Sequence, residues 1–368
     1  MTALADRVDE QVTAPFPWFG GKRKIAPMVW DRFGDVPNYC EPFAGSLAVL
    51  LGRPHPPRIE TVNDLDFYLV NFWRAVQVDP EGVARWADGP VNEADLHGRH
   101  RWLVARGRRL VARCARDPHY FNTKIAGWWV WGQCLWIGSG WCASKDIRST
   151  NANGILRNKL IKNRGLTGVH KNSVHRFDRS DSPDQKRRWQ GGGQGGGSGV
   201  HAPSLWRTIP DLSGDSGASG RGIHAASRLG LIDYMERLAA RLRRVRVCCG
   251  EWDRVLTPSV TTYIGVTGVL LDPPYNHDLR QRCYAEDHNV SEAVRVWALA
   301  NGDNPLFRIA LCGYVDEHGP FMPASWACVP WKAHGGYSRT ERGIANRDRE
   351  RVWFSPHCLL ATQSVLPL

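Results

Sequence analysis

The chain reads as α/β: a doubly wound, mostly parallel sheet with a terminal antiparallel hairpin and a largely helical, loop-rich insertion. Three observations predict this. Strand and helix patterns alternate at both ends of the sequence, as parallel strands joined by crossovers require. An apolar run, Tyr263 to Leu271, has the length and continuity of a buried parallel strand. Between the two alternating stretches the sequence turns basic and tryptophan-rich, then glycine-rich. With 368 residues and 42% hydrophobic content, the chain can bury a substantial core.

The first strand ends in Tyr39 to Phe43, and Leu47 to Leu51 begins a helix. Arg58 to Val62 reads as a second strand, followed by a helical pattern from Phe67 to Val78. From about Gly82 to Gly222 the rhythm stops. The tract from Gly191 to Gly199 holds almost nothing but glycine and cannot pack, so a flexible loop is expected there. Alternation resumes with Leu229, Ile232, Met235, Leu238 and Leu242 at helical spacing. Strands are then expected at Val245 to Cys249, at the run ending in Leu271, and at Phe307 to Cys312, with a helix over Ser291 to Ala300. Ala327 to Trp331 and Arg351 to Phe354 have the length and separation of a hairpin, which brings the strands to seven. The predicted organisation is one α/β domain from residues 15–81 and 225–358, an insertion over 82–177, and a flexible Gly/Ser-rich loop over 178–224.

Lys and Arg outnumber Asp and Glu by 48 − 36 = 12, a surplus that suits a polyanionic partner. No apolar run approaches a bilayer span and no signal peptide opens the chain, so nucleic acid is the better reading than a membrane, and the cytoplasm the expected location. The ten cysteines include no C-x-x-C pair, which argues against both a zinc site and a disulfide framework. No metal is expected.

The most informative residues are Asp272-Pro273-Pro274-Tyr275, directly after the apolar run. They set a carboxylate, a rigid backbone carbonyl and an aromatic ring at the carboxyl end of a strand, where open α/β sheets bind their ligands. Two acceptors and a ring suit a flat base bearing an exocyclic amine. Glu41-Pro42-Phe43-Ala44-Gly45-Ser46 follows the first strand, and its glycine is expected to let the backbone approach a ligand. Asp64 ends the second strand 19 residues beyond Gly45, close to the spacing of about 20 at which an acidic residue reaches ribose hydroxyls. It also precedes a helix, so an N-cap is the alternative. Glu251 and Trp252 follow the third strand and suit an adenine, by accepting its amine and stacking on its ring. Trp18-Phe19-Gly20-Gly21-Lys22 offers a lysine for a carboxylate or phosphate beside an aromatic ring.

In this order the motifs resemble those of the Dam-like, alpha-group DNA adenine-N6 methyltransferases, especially the phage and prophage type. The family's W-x-G-G-K is matched by Trp18 to Lys22, its E-P-F-x-G by Glu41 to Gly45, its ribose-binding Asp by Asp64, and its D-P-P-Y by Asp272 to Tyr275. The resemblance covers roughly residues 15–80 and 226–358 with the tryptophan-rich run. It implies a Rossmann-like methyltransferase sheet, S-adenosyl-L-methionine as cofactor, and double-stranded DNA as partner. Cofactor contacts would fall to Trp18, Lys22, Phe43, Gly45, Asp64, Glu251, Trp252 and Asp272, and catalysis to Asp272, Pro273, Pro274 and Tyr275. Leu47 stands where the family usually has a second glycine, and Glu251 where it usually has Asp.

The resemblance also implies direct methyl transfer to the N6 amine of a flipped adenine, with Asp272 and the Pro273 carbonyl accepting the amino hydrogens and Tyr275 as the stacking platform. Cytosine-N4 methylation, RNA adenine methylation and a catalytically silent DNA binder are the alternatives; Asp272 speaks against the first and the intact motifs against the last. The DNA reader is expected in the insertion. Arg99, Arg101, Arg106, Arg108, Arg109, Arg113 and Arg116 crowd an expected helix whose charges suit phosphates. Trp128, Trp131 and Leu135 share a helical face, so core is the expectation for most of the tryptophans there. The Gly138-Ser139-Gly140 turn is a better place for a DNA contact. A monomer is the default.

Overall fold

The computed structural model describes residues 12–18, 21–117, 119–136, 141–142, 228–275, 287–331 and 349–360. The expected flexible loop over 178–224 lies outside them. Seven strands, β1 (Asn38–Glu41), β2 (Ile59–Asp64), β3 (Val245–Cys249), β4 (Thr267–Leu271), β5 (Phe307–Tyr314), β6 (Ala327–Pro330) and β7 (Glu350–Phe354), form one sheet in the order β3-β2-β1-β4-β5-β7-β6. The first five of that order run parallel, and β7 lies antiparallel between β5 and β6. Every residue of β1 and β4 is buried, as central parallel strands covered on both faces must be.

The connections run outward from β1 through β2 to β3, then return to the other side of β1 to lay down β4 and β5. The order therefore reverses between β1 and β4, and a crevice for ligands opens outside their carboxyl ends. Glu41 and Asp272 close the two strands that flank it.

The apolar run divides where the strand begins. Tyr263 is 82% exposed, and residues before Thr267 fold into turns closed by Tyr263 N–H to Pro258 O and Ile264 N–H to Thr261 O. Pairing starts at Thr267, opposite Asn38 on one side and Phe307 on the other. Conversely, β5 runs two residues past the expected Cys312, because β7 pairs with it as far as Tyr314 opposite Glu350.

Of the first helices, α1 (Ala26–Phe33) packs against α2 (Ala48–Leu51) and β5, and α3 (Phe67–Val78) against β2 and β3. Asp66 caps α3, its carboxylate accepting from the N–H groups of Tyr68 and Leu69. Asp79 caps α4 (Pro80–Ala87), which opens on a proline where an N–H would be unpaired in any case. Then follow α5 (Glu93–Arg116), α6 (Thr123–Leu135), α7 (Arg228–Leu242), α8 (Asp287–Asn301) and the short α9 (Val315–His318). Helices α4 and α6 cross closely and pack with α3 and α7. Phe16, Phe72, Trp73 and Trp129 meet ring to ring, so these helices share one apolar core with the sheet's own. Trp129 and Trp131 are fully buried, in keeping with the core reading of that run. On α7 the buried positions are Leu231, Tyr234, Met235, Leu238 and Leu242. Arg241 on the same helix turns inward to Glu60, a buried carboxylate that also pairs with Arg53.

Candidate active site at the strand ends

Asp272 leaves β4 and meets the ammonium of Lys22 at 2.9 Å. Lys22 is 5% exposed. Its Nζ also lies 5.1 Å from the centre of the Tyr275 ring and 5.4 Å from that of Trp331. Burial opposes its charge, but Asp272, Cys312 and Glu350 outweigh that and raise its pKa above the ordinary lysine value. Tyr275 is buried as well. Its ring packs edge-on against Tyr314 at 4.8 Å, and its hydroxyl donates to Glu350 Oε2 at 3.1 Å. Burial, with the nearby charge of Asp272, holds its phenol far above the usual range, so it stays protonated. Pro273 and Pro274 carry no backbone N–H and fix the chain between carboxylate and ring.

On the other side of β1 the strand-end loops are stitched together. Asp64 accepts from Gly45 N–H through Oδ2 at 3.1 Å and from Asp66 N–H through Oδ1 at 2.9 Å. Asp66, not Asp64, is the helix cap. Burial raises the Asp64 pKa to about 6 against the pull of those backbone donors. Gly45 sits at φ +47, and a Cβ there would come within 2.6 Å of the Trp18 indole nitrogen. The glycine thus makes room for a ring of the protein itself, where the sequence pointed to bare approach by a ligand. Leu47, in place of the family's second glycine, adopts the same left-handed region, with φ 57, and its side chain is fully buried. Phe43 and Trp252 face each other across the ends of β1 and β3, their ring centres 6.2 Å apart and their planes within 23° of parallel. Glu251, half-buried, precedes Trp252.

Residues 18–93 match the family model of D12 class N6 adenine-specific DNA methyltransferases. The matched segment carries Trp18, Lys22, Phe43, Gly45 and Asp64, and the sheet it opens carries Asp272 at the adjoining strand end. That segment is similar to the adenine-N6 methyltransferases of this class. Comparison with curated proteins gave no match.

The arginine-rich helix stands apart from this cluster: α5 packs chiefly on α3 and α6. Arg101, Arg109 and Arg113 are exposed on α5. At about 100° per residue they fall on one outward face together with Arg116. Arg99 and Arg106 do not join them. The Arg99 guanidinium lies 4.0 Å from the centre of the Trp131 ring, and that of Arg106 lies 3.6 Å from the centre of Trp102. The side chain of Arg108 and all of Ser139 lie outside the described residues, as do Phe19 and Gly20 of the first motif.

Several contributors escaped sequence reasoning. Asn63 is 2% exposed and donates to Pro42 O at 3.1 Å and Gly250 O at 2.9 Å, tying the ends of β1 and β3 to β2. Its signal was an amide inside a buried strand. Glu41, whose motif was noted but not its charge, is 4% exposed, accepts from the Tyr39 hydroxyl, and is pushed up to about 8, chiefly by burial. It is therefore protonated at neutral pH. Glu350, Tyr314 and Trp331 come from the hairpin region and carried no local motif. Among the described residues no group of three or more His, Cys, Asp or Glu side chains could hold a metal ion, and the nine described cysteines are free thiols.

Proposed function

We propose that this enzyme transfers a methyl group from S-adenosylmethionine to the N6 amine of an adenine flipped out of double-stranded DNA. The observation that carries the reading is the position of Asp272-Pro273-Pro274-Tyr275 at the switch point of the sheet, one strand from Glu41 to Gly45 and two from Asp64.

The residues present fit the cofactor. Asp64 keeps lone pairs beyond its two backbone donors for ribose hydroxyls, and Phe43 and Trp252 offer two nearly parallel faces for a purine. Glu251 beside them can accept from an amine, and Lys22 is the cation for a carboxylate. S-adenosylmethionine, when bound, supplies an electrophilic methyl group.

The rest of the chemistry falls to the protein. An aromatic amine is a weak nucleophile because its lone pair is delocalised into the ring. Asp272 and the Pro273 carbonyl accept its two hydrogens and favour a pyramidal nitrogen with the lone pair freed for attack. Asp272 need not be a strong base, since the amine becomes acidic only as the new bond forms. Tyr275, kept as a neutral phenol, supplies the stacking face. In the structure Lys22 stands over that face and on that carboxylate. Entry of a base at Asp272 therefore requires its ammonium to move toward another anion, and the cofactor carboxylate is the one this reading provides.

Asp272→Ala tests the assignment. Single-turnover methyl transfer to unmethylated duplex DNA should fall by at least about 10²–10³-fold, the loss typical of a preorganised polar group acting on the transition state. Cofactor affinity should change far less. A variant that keeps wild-type transfer would remove Asp272 from the chemistry.

A further inference from the structure

The contact that the function above does not use is the hydrogen bond from Tyr275 to Glu350. The two residues lie 75 positions apart, and the contact is buried. Glu350 opens β7, sits opposite Tyr314 in the antiparallel register, and is 6% exposed. Its carbonyl accepts from the N–H of Trp331 at the end of β6. The pairing of β7 with β5 and β6 thus brings three groups to one place: the Glu350 carboxylate at the Tyr275 hydroxyl, and the Tyr314 and Trp331 rings beside Tyr275 and Lys22.

We propose that Glu350 is a positioning residue for the target base: by accepting the Tyr275 hydroxyl it fixes the plane on which the base stacks. Among the described residues three named contacts hold the ring, and they differ in kind. Tyr314 meets its edge and Lys22 its face, and both are contacts across which a ring can tilt. The hydrogen bond to a carboxylate is directional, short-ranged and stronger than one between neutral groups, so it alone fixes the far end of the ring. A stacking plane displaced by a fraction of an ångström misaligns the amine with Asp272 and Pro273, and misplacement on that scale lowers rate rather than cofactor binding. The strand β7 thus completes the site through a carboxylate 75 residues beyond Tyr275 in the chain.

This inference rests on the proposed reaction, and a double-mutant cycle separates the two. Tyr275→Phe, Glu350→Ala and the double variant are compared with wild type on unmethylated duplex DNA, with Glu350→Gln as the conservative replacement. Each single variant should lower kcat by about tenfold, the rate equivalent of one charge-assisted hydrogen bond, with cofactor affinity unchanged. The double variant should be no worse than either single one. Glu350→Gln keeps an acceptor oxygen and should recover most of the loss. Multiplying losses in the double variant, or Glu350→Gln as impaired as Glu350→Ala, would overturn the assignment. Should Glu350→Ala fail to fold, Glu350→Leu, which keeps the bulk but offers no acceptor, takes its place in the same cycle with the same expected non-additivity. A wild-type protein that binds cofactor but methylates no adenine would sink the functional reading instead. The cycle is then read from unfolding midpoints, which need no activity: coupled shifts support the Glu350 contact and additive ones overturn it.

Discussion

Glu41 shows how a buried carboxyl beside a reactive one changes what pH does to the molecule. It ends β1, next to the strand that delivers Asp272, and burial holds its proton up to about pH 8. In the unfolded chain the same group ionises near 4.5. Between those values the folded state holds a proton that the unfolded state has released, so the Glu41 contribution to stability declines as pH rises through the window. Glu41→Gln removes that titration while keeping an acceptor for Tyr39. Measured by urea unfolding at pH 5, 6.5 and 8, the variant should gain on wild type at each step, by a few kcal/mol in all. A difference that stays flat with pH would mean that Glu41 is ionised in the fold. Asp64 and His318 titrate in or near the same range, Asp64 with the same sign and His318 with the opposite one; the comparison with Glu41→Gln cancels both.

At the scale of elements, the crossing of α4 and α6 and the outer face of α5 give separable tests. Gly127 lies at the crossing, where a Cβ would approach Val83 O to 2.7 Å and Ala87 N to 2.8 Å. Those are backbone atoms and cannot rotate away. Gly127→Ala should therefore destabilise the fold by about 1–3 kcal/mol, the usual range for overpacking, despite the better helix propensity of alanine. An unchanged midpoint would show that the helices do not approach so closely. On α5 the exposed and the stacked arginines should behave differently. Replacing Arg101, Arg109 and Arg113 with Ala should weaken DNA binding and flatten its salt dependence, by about 0.9 in log–log slope for each phosphate that is no longer neutralised. Replacing Arg99, whose guanidinium lies on Trp131, should affect the packing of α5 against α6 instead, and replacing Arg106, which lies on Trp102 of its own helix, should affect α5 itself. Salt slopes and unfolding midpoints together sort the two sets. An unchanged slope in the triple variant would move DNA binding off this face.

Across the whole molecule, what could be read from the sequence was what is local. Central strands of a parallel sheet are largely apolar runs, so Cys40 to Gly45, Val62 to Asp64 and Leu270 to Tyr275 announced the strands and the residues gathered at their carboxyl ends. Period marked α3 to the residue, although its cap is Asp66 and not the Asp64 that the sequence offered. Strand ends were less legible, because a run of apolar letters does not tell pairing from turn: Tyr263 begins the run and stands in solvent. Nor does sequence spacing reveal which charged side chains turn inward. Arg99, Arg106 and Arg241 look like surface charges until rings and Glu60 are seen beneath them. Long-range contacts carried no signal at all. Glu350 finds Tyr275, and Asn63 finds Gly250, only because the strand order places their ends side by side.

The central claim is adenine-N6 methylation at Asp272, and the product itself tests it most directly. Unmethylated duplex DNA would be incubated with S-adenosylmethionine and either wild type or Asp272→Ala, digested to nucleosides, and analysed by mass. N6-methyladenine from wild type alone is the predicted result. N4-methylcytosine, or no methylated base from a protein that binds both cofactor and DNA, would contradict the account.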